Sequence, residues 1–301
     1  MSSGPQIFDR SLLRARQTRA RALGPATFLL DRVAGELGER LSAVLRRFDI
    51  GVDLGTPTDV VRRALAASGK VGTIIAAEFG ATTLDRSFLR AAADEELLPF
   101  ADGSLDLVTS ALALQFVNDL PGTLIQIRRA LKPDGLLLAA LVGGDSLAEL
   151  REAIAAAESE IEEGVSPHIA PFADVRELGA LLQRAGFALP VIDNERLIVR
   201  YDSVLALMHD LRRMGATNVL HERRRKPLKR TTLERMADIY SRRFSDADGR
   251  LRASFEIIWL SAWAPHESQQ KPLKPGSAAQ RLADALGTRE ISSGEKPERS
   301  S

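Results

Sequence analysis

Between Phe48 and Gly144, apolar runs of strand length alternate with stretches of helical periodicity, and nothing else in the chain restricts its fold as much. FDIGVDL gives way to VVRRALAASG, VGTIIAAEF is followed by the short SFLRAAADEE, and LDLVTSALAL precedes PGTLIQIRRALKPDG and LLLAALVGG. Strands alternating with helices predict an α/β fold with a doubly wound, mostly parallel sheet. Runs as apolar as GTIIAA and LLLAALV suit strands covered on both faces.

The flanks read differently. Residues 11–23 and 25–47 carry Leu, Ala and Val at helical spacing, broken by Gly24 and Pro25, so residues 1–47 are expected to form a helical lead-in. The sheet domain should span 48–265. Beyond Gly144, DSLAELREAIAAAESEIEEG and DVRELGALLQRAGF read as helices, PVIDNERLIVRY as a strand, and about 200–244 as a helical, basic insertion. The last apolar run, ASFEIIWLSAWAP, is expected to pair at the edge of the sheet, with Trp259 and Trp263 in the core or at that edge. Residues 266–301, rich in Gln, Lys, Pro, Ser and Gly, are expected to be a disordered tail.

Composition excludes several classes of function. With no cysteine there is no thiolate nucleophile and no cysteine-type zinc site, and the scattered His168, His209, His221 and His266 make no metal cluster. No metal is expected. The 41 basic and 40 acidic side chains nearly cancel, so no global field points to nucleic acid. No apolar run approaches the roughly 20 residues that span a bilayer, and MSSGPQIFDR has no signal-peptide core, which predicts a cytoplasmic protein. The Arg-rich residues 10–23 have the composition of a mitochondrial presequence and leave that as the competing reading.

In a doubly wound sheet the ligand lies outside the carboxyl ends of the strands, and the loop after the first strand lies closest. Here that loop is DLGTPTD, residues 53–59, with Asp53 and Gly55 as candidates to shape it. Glu78, ending the second strand, is placed to accept hydrogen bonds from ribose hydroxyls, or is simply a solvated strand end. Asp94 and Glu95, after the short third strand, stand where a carboxylate can accept from an adenine amino group.

Together with LPFADGSLDLVTSALALQFVNDLPGTLIQIRRALKPDG, residues 98–135, these acids resemble the S-adenosylmethionine-dependent methyltransferases of the Rossmann-like class I type. IFDRSLLRARQTRA, LVGGDSLAELR and LRRMGATNVL extend the resemblance to the methyltransferase-like assembly factor family of respiratory complex I, close to the malonyl-carrier-protein methyltransferases of biotin synthesis. The likeness runs from residue 7 to about 265 and leaves six residues ahead of it, which argues against the presequence. It implies S-adenosylmethionine as cofactor and a methyl or hydroxyl transfer. It also implies a protein partner, an iron–sulfur subunit of complex I. A catalytically silent scaffold and a small-molecule or carrier-protein O-methyltransferase are the alternatives. The catalytic residue is not identified.

The chain departs from the family pattern twice. Such enzymes usually show a loop like DLGCGTG, whereas here Pro57 and Asp59 replace two glycines. Thr56, Pro57 and Asp59 fit an N-cap, an N1 proline and an N3 carboxylate ahead of VVRRAL, so the loop is expected to cap its own helix. Proline removes an amide donor and Asp59 sets a negative charge where a ligand carboxylate would lie, a repulsion of about 1–4 kcal/mol that weakens binding. The family often has a histidine before an aromatic ahead of NDLP, where this chain has Gln115 and Phe116. Gln115 and Asn118 are therefore candidates for substrate or partner contact, as are Arg223, Arg224 and Arg225 in the basic ERRRKPLKR, which is a solvated loop or a docking patch for an acidic protein surface. Without interleaved aromatic residues the run does not suit nucleic acid.

Overall fold

The computed structural model describes residues 6–79, 87–162, 164–269 and 287–288. In chain order these give α1 (Arg10–Ala22), α2 (Phe28–Ala43), β1 (Phe48–Leu54), α3 (Val60–Ser68), β2 (Val71–Glu78), β3 (Leu89–Ala92) and β4 (Leu105–Ala111). A short turn of 3₁₀-helix, Leu114–Phe116, leads to α4 (Leu120–Ala130) and β5 (Leu131–Val142). Then come α5 (Ala148–Ile161), α6 (Val175–Arg184), β6 (Ala188–Tyr201), α7 (Val204–Arg213), α8 (Arg230–Phe244) and β7 (Leu251–Trp263). Met1–His266 make one compact unit that includes the helical lead-in, and Glu267–Ser301 make a second. Except for residues 266–269 and 287–288, the tail expected to be disordered lies outside the described residues.

The seven strands are ordered β3-β2-β1-β4-β5-β7-β6. β1 pairs parallel with β2 and β4, β2 with β3 and β4 with β5, while β7 runs antiparallel to β5 and β6. The winding reverses between β1 and β4, and that reversal opens a crease at the carboxyl ends of the strands. One expectation is corrected here. The last apolar run, β7, lies inside the sheet, and β6 forms the edge. The burial patterns explain the order: β7 is buried at nine of its thirteen positions, whereas β6 is almost wholly half-buried or exposed and suits an edge. Trp259 is 2% exposed beneath the Arg40 guanidinium, whose carbon lies 4.7 Å from the ring centroid.

Side-chain alternation along the strands divides the core in two. On β5, Leu136, Leu138 and Ala140 join the apolar layer beneath α2, α3, α5, α7 and α8, while Leu137, Ala139 and Leu141 join the layer beneath α4 and α6. Every one of these six is at most 2% exposed. At 25 cal/mol per Å² of apolar surface, each buried leucine contributes roughly 2 kcal/mol, so the doubly covered sheet is the stable frame on which the loops are held. A third apolar cluster joins the N-terminal segment to three later loops through Phe8, Leu13, Phe116, Ala170, Val219 and Leu220. Phe8 meets Phe116 edge-on at 5.8 Å, and the Asp9 amide donates to the Val219 carbonyl at 2.8 Å.

Candidate functional site

The crease is built from the loop after β1, the ends of β2 and β3, and α1 lying across them. Asp53 does not face the crease. It is fully buried, accepts from Arg62 Nη1 at 2.8 Å and from the Thr56 hydroxyl, and burial, only partly offset by Arg62 and Thr56, pushes its carboxyl up to about 6. The same Thr56 oxygen accepts from the Ala111 amide at 3.2 Å, tying the end of β1 to the end of β4.

The expected capping motif is therefore corrected. α3 begins at Val60 with Asp59 as N-cap, and no side-chain cap bond is made. Thr56 is turned inward because a buried carboxylate is a stronger partner for its hydroxyl than a solvated helix end. Asp59 pairs instead with Arg63 one turn on, at 3.1 Å. Gly55 adopts φ +70°, a left-handed turn that glycine makes without strain. A Cβ there would come within 2.5 Å of Glu95 Oε1, so the Glu95 carboxylate already covers the backbone at this point of the loop.

α1 brings the other acids together. Arg10 Nη2 donates to Asp94 Oδ1 at 2.7 Å and also to Glu95, Arg14 donates to Asp94, and Arg21 stands 3.9 Å from Glu78. Arg90 reaches Glu78 from the neighbouring strand at 3.2 Å. Burial works to raise the Asp94 carboxyl, but the Glu96 amide, Arg10 and Arg14 outweigh it and hold the group below the usual carboxylate range. These arginines were not singled out in the sequence, yet the signal was there: positions 10, 14 and 21 fall on one helical face, at 0°, 40° and 20° by the 100° per residue of an α-helix. Asp9 caps that helix by accepting from the Leu12 amide at 2.9 Å.

Gln115 joins the crease and Asn118 does not. Gln115 Nε2 donates to the Leu112 carbonyl at 2.8 Å, which fixes the amide orientation and leaves Oε1 buried without a partner among the described residues. It lines a cavity of about 100 Å³ together with Ala20, Arg21, Pro57, Phe116 and Met214. Asn118 instead clamps the N-terminal segment, accepting from the Phe8 amide at 2.7 Å and donating to its carbonyl at 3.2 Å.

The basic loop is not a uniformly solvated patch, since Arg223 and Arg224 are half-buried. Arg223 pairs with Asp9 at 3.2 Å, and Arg224 reaches Glu162 at 2.9 Å and the fully buried Glu158 at 3.6 Å. Hydrogen bonds from Thr232 and Arg224 lower the Glu162 carboxyl to about 2. Arg225 and Lys226 are exposed. The charges that repel along the sequence are separated in space by three carboxylates that only the fold delivers.

The sheet order, the crease at its switch point and the match of residues 52–139 to the methyltransferase domain family together define a protein of the class I methyltransferase fold. The BH2331 protein of Bacillus halodurans shares this fold at a TM-score of 0.54 and 16% identity, over 77% of this chain and 99% of that one. The chain belongs to the arginine-hydroxylase NDUFAF5 family: it is 36% identical over 295 residues to the mitochondrial Danio rerio member, covering 93% of this chain and 90% of that protein. Malonyl-(acyl-carrier protein) O-methyltransferase of Laribacter hongkongensis is 41% identical over 197 residues, covering 64% of each chain.

Proposed function

We propose that this chain binds S-adenosylmethionine weakly and uses the crease to modify, or to assemble, a protein subunit of respiratory complex I, the iron–sulfur subunit implied by the family resemblance, in the cytoplasm. The observation that carries the reading is the set of Gly55, Glu78 and Asp94 at the ends of the adjacent strands β1, β2 and β3, facing the switch point of the sheet. The nucleoside half of the cofactor fits these residues: Glu78 would accept from ribose hydroxyls and Asp94 from the adenine amine. The methionine half fits poorly, because Pro57 has no amide to donate, Asp59 adds charge at the start of α3, and Glu95 covers Gly55. When bound, the cofactor supplies an electrophilic sulfonium carbon. The chain's own contribution is positioning, with the Gln115 Oε1 acceptor available to orient a donor group of the acceptor substrate.

A silent scaffold is the second reading, favoured by the arginines of α1, which already satisfy Asp94 and Glu95. Calorimetric titration of the full chain with S-adenosylmethionine, followed by mass spectrometry of a complex I iron–sulfur subunit incubated with both, separates the two. Weak saturable heat with a mass increase on the subunit supports the proposal. Capture of the subunit with no heat and no mass change supports the scaffold.

A further inference from the structure

A second and larger cavity, of about 630 Å³, lies among α5, α7, α8 and the loops around residues 168–172 and 216–228. Phe116, Leu147, Phe172, Leu211 and Ala216 line both cavities, so they form a wall between this chamber and the small one beside the cofactor loop. Its volume falls within the roughly 300–1,000 Å³ of small-molecule sites. Its floor is apolar: Leu150 and Ile154 of α5 and Met236 of α8 are at most 8% exposed, with Leu233 and Met208 half-buried beside them. Its opening is marked by the exposed lining residues Leu205, His209 and Arg212, which follow one edge of α7.

The ionisable side chains on its wall all belong to one type of partner. Among the described residues they are Arg16, Arg212, His168 and His209, with no carboxylate. Of the nearby acids, Glu158 lies behind the wall and is bonded to His168 Nε2 and to the Ser166 amide, each at 2.8 Å, and Asp9 pairs with Arg223. Arg16 donates to the Asn218 carbonyl, and Arg212 makes no side-chain hydrogen bond or ion pair among the described residues. Burial, and then the charges of Arg223, Arg19 and Arg212, outweigh Asp9 and lower the pKa of the Arg16 guanidinium.

We infer that this cavity binds a single-chain amphiphile, with an anionic head between Arg212 and Arg16 and an aliphatic chain lying on Leu150, Ile154, Leu233 and Met236. The inference does not depend on the cofactor reading, since no candidate cofactor residue lines this chamber. The anionic head has two sources, a free fatty carboxylate or an anionic lysophospholipid, which also carries one chain.

The experiment uses the full chain and the fluorescent anion 1-anilinonaphthalene-8-sulfonate. Myristate below its aggregation concentration should displace the probe and raise the melting temperature, with dodecanoate at least 10-fold more effective than dodecylammonium. Arg212→Glu, an exposed position, should melt like the wild type and lose that preference, whereas Leu233→Trp should reduce myristate affinity at least 10-fold by filling the floor. Tighter saturation by monomeric myristate identifies the free acid as the source, and tighter saturation by lysophosphatidylglycerol, with none by lysophosphatidylcholine, identifies the lysophospholipid. Equal displacement by the ammonium compound, an unchanged affinity in either variant, or no displacement at all overturns the inference.

Discussion

Arginine 10 is the side chain through which α1 is fastened to the crease, and its removal has a size and a pH signature that follow from its surroundings. Its side chain is 12% exposed, donates to Asp94 at 2.7 Å, to Glu95 and to the Phe116 carbonyl at 3.2 Å, and lies 3.8 Å from Glu96. Arg10→Gln leaves three neighbouring carboxylates with Arg14 as the remaining cation on Asp94. Breaking a buried pair costs about 3–5 kcal/mol, and because Asp94 and Glu96 keep some solvent the expected loss here is about 2–3 kcal/mol. For a unit of this size that lowers the melting temperature by roughly 4–12 °C. Asp94 is held below its ordinary range in the folded protein, so its pairing stabilises the fold above the unfolded carboxylate pKa and is lost as pH falls through the folded value. The cost of Arg10→Gln should therefore be largest at pH 7 and shrink toward pH 3.5. Urea denaturation at both pH values measures it. A loss below about 0.5 kcal/mol at pH 7, or an equal loss at both pH values, would refute the view that this helix is held by carboxylate pairing.

Four further outcomes are expected. Replacing Arg223 and Arg224 by Glu should lower the melting temperature by several degrees, because Asp9, Glu158 and Glu162 lose their partners, whereas the same change at Arg225 and Lys226 should leave it unchanged in the same thermal scan. Asp53→Asn should abolish a pH dependence: a carboxyl raised to about 6 contributes stability below the unfolded carboxylate pKa that is lost as pH rises through the folded value. The variant should therefore gain on the wild type by up to roughly 3 kcal/mol between pH 4 and 7 in denaturant titrations. Thr56→Val leaves the Ala111 amide and Asp53 each short of a bond and should cost about 1–3 kcal/mol by urea denaturation. Pro57→Gly with Asp59→Gly should cost about 1–2 kcal/mol, chiefly through unfolded-state entropy, while tightening S-adenosylmethionine in calorimetry; no binding in either protein would mean that the pocket is lost elsewhere than at this loop.

The sequence by itself determined the sheet and its winding. Buried parallel strands must be apolar on both faces, and FDIGVDL, VGTIIAAE and LLLAALV read that way without any knowledge of their neighbours. It also located the crease, because loops after parallel strands gather at one edge whatever residues they carry, so Gly55, Glu78 and Asp94 were legible as neighbours. The interior position of β7 was not legible. Its apolar run fits an edge or a centre equally, and only the half-exposed alternation of β6 beside it decides between them.

Charge was decided by tertiary structure alone. A run such as RRRK looks self-repelling until Asp9, from more than two hundred residues away, Glu158 of α5 and Glu162 at the end of that helix are brought against it. The Thr56 hydroxyl had a local helix end in reach and took the buried Asp53 instead, because a desolvated carboxylate gains more from a hydrogen bond than a helix terminus that water already satisfies. Electrostatic partners are chosen by distance and desolvation in three dimensions, and a one-dimensional chain specifies neither.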